Sequence, residues 1–109
     1  MAYDEALAQR IRDSLREHPG ITERRMFGGI AFMRDGHMSV GISADSLMVR
    51  VRPDQYEHVL GMKHVRKMDF TGRSMRGYVY VDRAGLESEE QLRAWLDRSA
   101  AFVGTLAPK

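Results

Sequence analysis

Four histidines, His18, His37, His58 and His64, carry the most versatile side-chain chemistry in this 109-residue chain. A zinc site needs several such ligands converging, as two histidines one helical turn apart can do. No pair stands at i, i+4 and no H-E-x-x-H occurs; His58 and His64 could meet only across the end of a short helix. There are no cysteines, which removes disulfides, thiol nucleophiles and thiolate metal sites together. Serines are numerous, yet none sits in a G-x-S-x-G elbow. The acidic cluster Glu87, Glu89 and Glu90 precedes an apolar-periodic segment, where carboxylates complement a helix dipole without any catalytic duty. The residues therefore predict no catalytic group and no metal site.

Arginine and tyrosine offer a different chemistry. Net charge is only +2, but it is unevenly spread: residues 46–85 carry eight basic and four acidic side chains. Between Gly61 and Arg76 the count is five against one, with Lys63, Arg66, Lys67, Arg73 and Arg76 opposed by Asp69 alone. Such a segment can attract phosphate, and a solvated loop is the alternative reading. Within the same region Arg50 and Arg52 are two residues apart, as are Tyr78 and Tyr80. On strands, that spacing puts each pair on one face. If the two strands are neighbours, Arg50, Arg52, Tyr78 and Tyr80 form one exposed patch, with Arg73 and Arg76 close by. Arginine and tyrosine together can stack bases, pair with phosphates or anchor a protein interface. Met48, Met62, Met68 and Met75, four of eight methionines, lie in or beside the basic segment and suit an irregular core or an adaptable groove.

The elements that must position these residues are legible from periodicity. Asp4 can cap a first helix running to about His18, with Leu7, Ile11 and Leu15 as its apolar stripe and Pro19-Gly20 as its stop. Strands follow at 22–27 and 30–33, then a hairpin turn at Asp35-Gly36 and a strand at 37–43 in which Met38, Val40 and Ile42 alternate with Ser39 and Gly41. After a turn at 44–46, Leu47, Val49 and Val51 face one side and Met48, Arg50 and Arg52 the other. Pro53 opens a short helix stopped by Gly61; MDF and GYVYVD read as strands. Ser88 with Gln91 forms a capping box for the last helix, whose buried stripe is Leu92, Trp95, Leu96, Ser99, Phe102, Val103 and Leu106. This order predicts an α+β fold: two layers, an antiparallel sheet of about five to six strands with helices on one face. The length fits a single domain over 1–109, and no apolar run approaches the roughly 20 residues that span a bilayer. A cytoplasmic location and no membrane partner are expected.

The stretch Met26-Phe27-Gly28-Gly29 places two of ten glycines side by side at a strand start. A bulge or corner would need this, either for positive φ or because a neighbour passes too close for a Cβ. A phosphate cradle would need a longer pattern, and none is present.

The string RRMFGGIAFMRDGHMSVGI, followed by LMVRV, GRSMRGYVYVD and a terminal LRAWLDRS helix, resembles the N-terminal domain of the TfoX/Sxy family. The resemblance covers nearly the whole chain. Its most specific marks are Met26-Phe27-Gly28-Gly29, the Asp35-Gly36 turn, the Arg50 strand and the Gly77-Tyr78 strand. It implies an α+β domain without catalytic residues or cofactor, akin to bacterial regulators of natural competence that act with the cyclic-AMP receptor protein at promoters. Full-length competence regulators of the family add a C-terminal domain suited to nucleic acid, whereas this chain ends at Lys109. The competence role itself is therefore not carried over. The expected function is a non-catalytic regulatory module that binds a protein partner, with transcription machinery as the candidate. Direct nucleic-acid binding through residues 50–76 is the alternative, a small-molecule pocket beneath the methionines a third, and homodimerisation is left open. Convergence of Arg50, Arg52, Arg73 and Arg76 on one face would favour nucleic acid. Pairing with Asp54, Glu57, Asp69 or Asp82 would favour protein.

Overall fold

The computed structural model describes residues 3–16, 18, 20–26, 29–70 and 73–107, with backbone alone at 26, 68–70 and 73–76. Asp4 caps α1 (Glu5–Ser14), its carboxylate accepting the Leu7 N–H at 3.0 Å. The helix stops a turn earlier than its sequence suggests. Leu15 leaves the helical register and is buried, which lets the chain reverse into β1 (Ile21–Met26).

Four strands then form a meander: β1, β2 (Gly29–Arg34), β3 (His37–Ser43) and β4 (Ser46–Arg50). The β2–β3 turn has Asp35 at φ 50° and Gly36 at φ 87°, the left-handed pair that a two-residue hairpin requires. From β4 the chain passes through a 3-10 turn (Pro53–Gln55) and α2 (Tyr56–Leu60) to β5 (Val65–Phe70), and returns as β6 (Arg73–Val81). The order across the six-stranded sheet is β1-β2-β3-β4-β6-β5 and every strand pairing is antiparallel. β5 thus runs parallel to β4 with β6 between them. Reaching that place requires a crossover, which α2 supplies.

The third helix, α3 (Glu89–Val103), begins with the expected capping box: the Gln91 N–H donates to Ser88 Oγ at 3.0 Å and the Ser88 N–H to Gln91 Oε1 at 2.9 Å. One hydrophobic core joins the helices to the sheet. Leu7, Ile11 and Leu15 of α1 and Leu92, Trp95 and Leu96 of α3 meet Ile30, Phe32, Val40, Ile42, Leu47, Val49, Val79 and Val81. At the rim Arg12 of α1 makes a two-pronged ion pair with Glu23 of β1, at 2.8 and 2.9 Å, and that hydrogen bonding is the main reason its guanidinium pKa is raised.

A bulge breaks the simple alternation in β3. Phe32 pairs with Val40 and Met33 with Met38, leaving Ser39 as the extra residue. Met38 therefore lies opposite Met33 instead of following Val40 and Ile42 into the core. Ser39 turns to α3, where its buried hydroxyl lies 2.9 Å from Ser99 Oγ and its carbonyl accepts the Ser99 hydroxyl at 2.7 Å. Among the described residues, no helix is long and apolar enough to cross a membrane.

Candidate functional site

The sheet brings the arginine and tyrosine pairs together. β4 neighbours β6, with Arg50 opposite Tyr78 and Met48 opposite Tyr80. On the far side of β6, Arg66 of β5 stands opposite Tyr80. Strand pleating directs Met48, Arg50, Arg66, Tyr78 and Tyr80 to one face, the two tyrosines about 7 Å apart along β6.

Cations and rings alternate across this surface. The Arg50 guanidinium carbon lies 5.6 Å from the Tyr78 ring centre and 5.4 Å from that of Phe102, in the last turn of α3. The Arg66 guanidinium lies 5.1 Å from the Tyr80 ring and also donates to Asp82 at 2.6 Å and to Ser46 Oγ at 2.9 Å. Each guanidinium is thus fixed over an aromatic face, a contact worth about 0.5–1 kcal/mol where water has access.

Three parts of the expected patch differ. Met48 is buried, its methyl group lying against Gly41, so the centre of this face is closed. Arg50, Tyr78 and Tyr80 are half-buried and not freely exposed, because Arg50 is enclosed between Tyr78 and Phe102. Arg52 stands beyond the end of β4, where it makes paired 3.2 Å contacts to Asp54. The chain turns at Pro53, and Arg52 leaves the ladder with it. The side chains of Arg73 and Arg76 lie outside the described residues, although their backbone forms the start of β6.

Two participants are not placed on this surface by the periodicity. Arg66 falls outside a strand limited to MDF; β5 in fact begins at Val65. Phe102 is expected on the buried stripe of α3, yet its ring is half-buried against Arg50. Gly77, with φ 95°, marks the point where β6 bends as it leaves β4. A glycine inside a strand pattern is the local signal for such a bend.

In the glycine pair, Phe27 and Gly28 lie outside the described residues, as does the Met26 side chain. Gly29 has neither of the first two expected features: its φ is not positive and it pairs regularly with Met26. A Cβ there would instead run into the Ile42 carbonyl of β3, so close approach explains this glycine. Among the described residues no cluster of three or more histidine, aspartate or glutamate side chains is placed to hold a metal ion.

With Met26 at the end of β1, Gly29 at the start of β2, Arg50 on β4 and Gly77-Tyr78 on β6, the marks of one family that fall on described residues are in place. The TfoX N-terminal domain profile matches residues 13–103. The chain belongs to the TfoX N-terminal domain family. The match runs from α1 to the end of α3, so it includes every strand of the sheet and supports a regulatory type of domain. No curated protein and no solved structure gives a significant match.

Proposed function

We propose that this TfoX N-terminal domain is a non-catalytic regulatory module that engages a protein partner through the β4–β6 face, with Arg50, Tyr78 and Tyr80 as anchors. One observation carries the choice of a protein over nucleic acid. The basic segment is partly neutralised from within, Arg52 by Asp54 and Arg66 by Asp82. A phosphate-binding surface gains its affinity from uncompensated cations that displace counterions. A protein interface instead favours arginine and tyrosine held in place beside satisfied polar groups. Half-buried rings locked by cations lose little further conformational freedom on binding.

The stacked Arg50–Tyr78 pair gives the alternative, direct binding of nucleic acid, its own specific support, since bases stack on such platforms. The test is affinity capture from a bacterial lysate with the intact chain and with Arg50→Ala/Tyr80→Ala, followed by protein and nucleic-acid identification. Loss of one specific protein in the folded double variant is the expected result. Equal capture by both would refute the assignment of this face. Captured nucleic acid whose affinity falls steeply with salt would replace the protein reading with the alternative.

A further inference from the structure

A second candidate site lies in the helical layer and shares no residue with the β4–β6 face. Between α2 and β5 the chain turns through Met62, Lys63 and His64, and this turn and α3 line a common cleft. The resulting cavity, a cleft of about 470 Å³ open to solvent, is lined in part by Met62, Lys63, His64, Ala94, Trp95 and Arg98. Its size falls within the range of small-molecule sites.

Three observations give the cavity a chemical character. The first is charge. Lys63 and Arg98 line it together with His64, and no carboxylate does. Neither Lys63 nor Arg98 takes part in an ion pair among the described residues. Arg98 is held by the neutral Gln55 amide, its Nη1 donating to Oε1 at 3.3 Å, so its charge is oriented but not cancelled. The carboxylates Glu89, Glu90 and Asp97 of α3 line a separate groove that also includes Ala94.

The second is an apolar surface beside that charge. Trp95 packs into the core and, at 7% exposure, shows the lining only a small part of its ring, with the Arg98 guanidinium 5.7 Å from the ring centre. Met62 is the exposed large hydrophobic residue among those described, at 36%, and a flexible thioether at a cavity rim adapts readily to a flat guest. The third is the construction of the turn. His64 is held at φ 67°, a conformation costly for a residue with a Cβ. Its carbonyl accepts the Asp82 N–H at 2.8 Å and its Cβ fits against Gly85, where an added Cβ would come within 3.0 Å. The turn is therefore fixed in the position that keeps the cavity open.

We propose that this cavity binds a small organic anion with a flat apolar body. The anionic group lies between Lys63 and Arg98, and the body rests against Trp95 and Met62. Carboxylate and phosphate heads share the required chemistry, and the test separates them. The chain has a single tryptophan, so its indole N–H gives one resolved reporter signal in nuclear magnetic resonance. Labelled protein is titrated with 2-naphthoate and with 2-naphthyl phosphate, against neutral 2-naphthalenemethanol and against inorganic phosphate. At least one naphthyl anion should shift the Trp95 indole signal saturably, and the neutral analogue should bind about tenfold more weakly, as expected for loss of a charge-assisted contact. Lys63→Gln, on the exposed turn, should weaken the anion by a similar factor, and Arg98→Gln should do the same. Three results would each overturn the proposal: no saturable shift with either anion, equal affinity for the neutral analogue, or unchanged anion affinity in both folded variants.

Discussion

Ser99→Ala should cost more stability than Ser39→Ala, although the two hydroxyls share one hydrogen bond. The asymmetry follows from proton accounting. The Ser99 hydroxyl donates its only proton to the Ser39 carbonyl at 2.7 Å. Across the 2.9 Å contact between the hydroxyls, Ser39 must therefore be the donor. Both residues are buried, Ser99 at 0% and Ser39 at 5% exposure, so water does not replace a lost partner. Removing the Ser99 hydroxyl strands the Ser39 carbonyl and the Ser39 hydroxyl together. At about 1–3 kcal/mol for each of the two orphaned groups, less a few tenths regained from alanine's helix propensity, the expected loss is about 1.5–5.5 kcal/mol. Removing the Ser39 hydroxyl leaves the Ser99-to-carbonyl bond intact and costs about 0.5–1.5 kcal/mol. In the double variant only the carbonyl is stranded, so its loss should fall below the sum of the two single losses. Urea unfolding followed by circular dichroism and by Trp95 fluorescence would measure all three. A Ser39→Ala loss equal to or greater than that of Ser99→Ala, or an additive cycle, would refute the argument that Ser99 pins α3 to the bulge.

Trp95→Ala should destabilise the fold by about 3–5 kcal/mol, since the indole is packed with Leu92 and Leu96 against the sheet; calorimetric melting would show it. Gly29→Ala should cost about 1–3 kcal/mol through collision with the Ile42 carbonyl, and an unchanged melting temperature would contradict that close approach. Gly77→Ala should cost a similar amount, about 1–3 kcal/mol, for a different reason: its φ of 95° is strained for any side chain, and among the described residues the new methyl meets nothing closer than the Val51 carbonyl, 4.0 Å away.

Local chemistry made much of this protein readable in advance. Asp4 at its cap, the Asp35-Gly36 turn, Pro53 at the start of the crossover and the Ser88–Gln91 box act through neighbours in sequence, and each stands where its residue type requires. The alternation of Leu47, Val49 and Val51 likewise marks the side of β4 that faces the main core, without reference to any strand partner. The same alternation set Arg50 opposite that side, and Tyr78 and Tyr80 on one side of theirs.

Other features depend on residues far apart in the chain. That Arg50 meets Tyr78 follows from β6 inserting between β4 and β5, a choice made by the crossover through α2 and not by either strand. The Ser39 bulge carries no glycine or proline to announce it; the partner 60 residues away that satisfies its hydroxyl becomes visible only when α3 is in place. Phe102 fits the stripe of α3 by spacing, but its ring is half-buried against the Arg50 cation and leaves the core to Trp95 and Leu96. Gly29 shows the same division within one residue. Its type signals that a Cβ is excluded, and only the packed sheet shows the Ile42 carbonyl that excludes it.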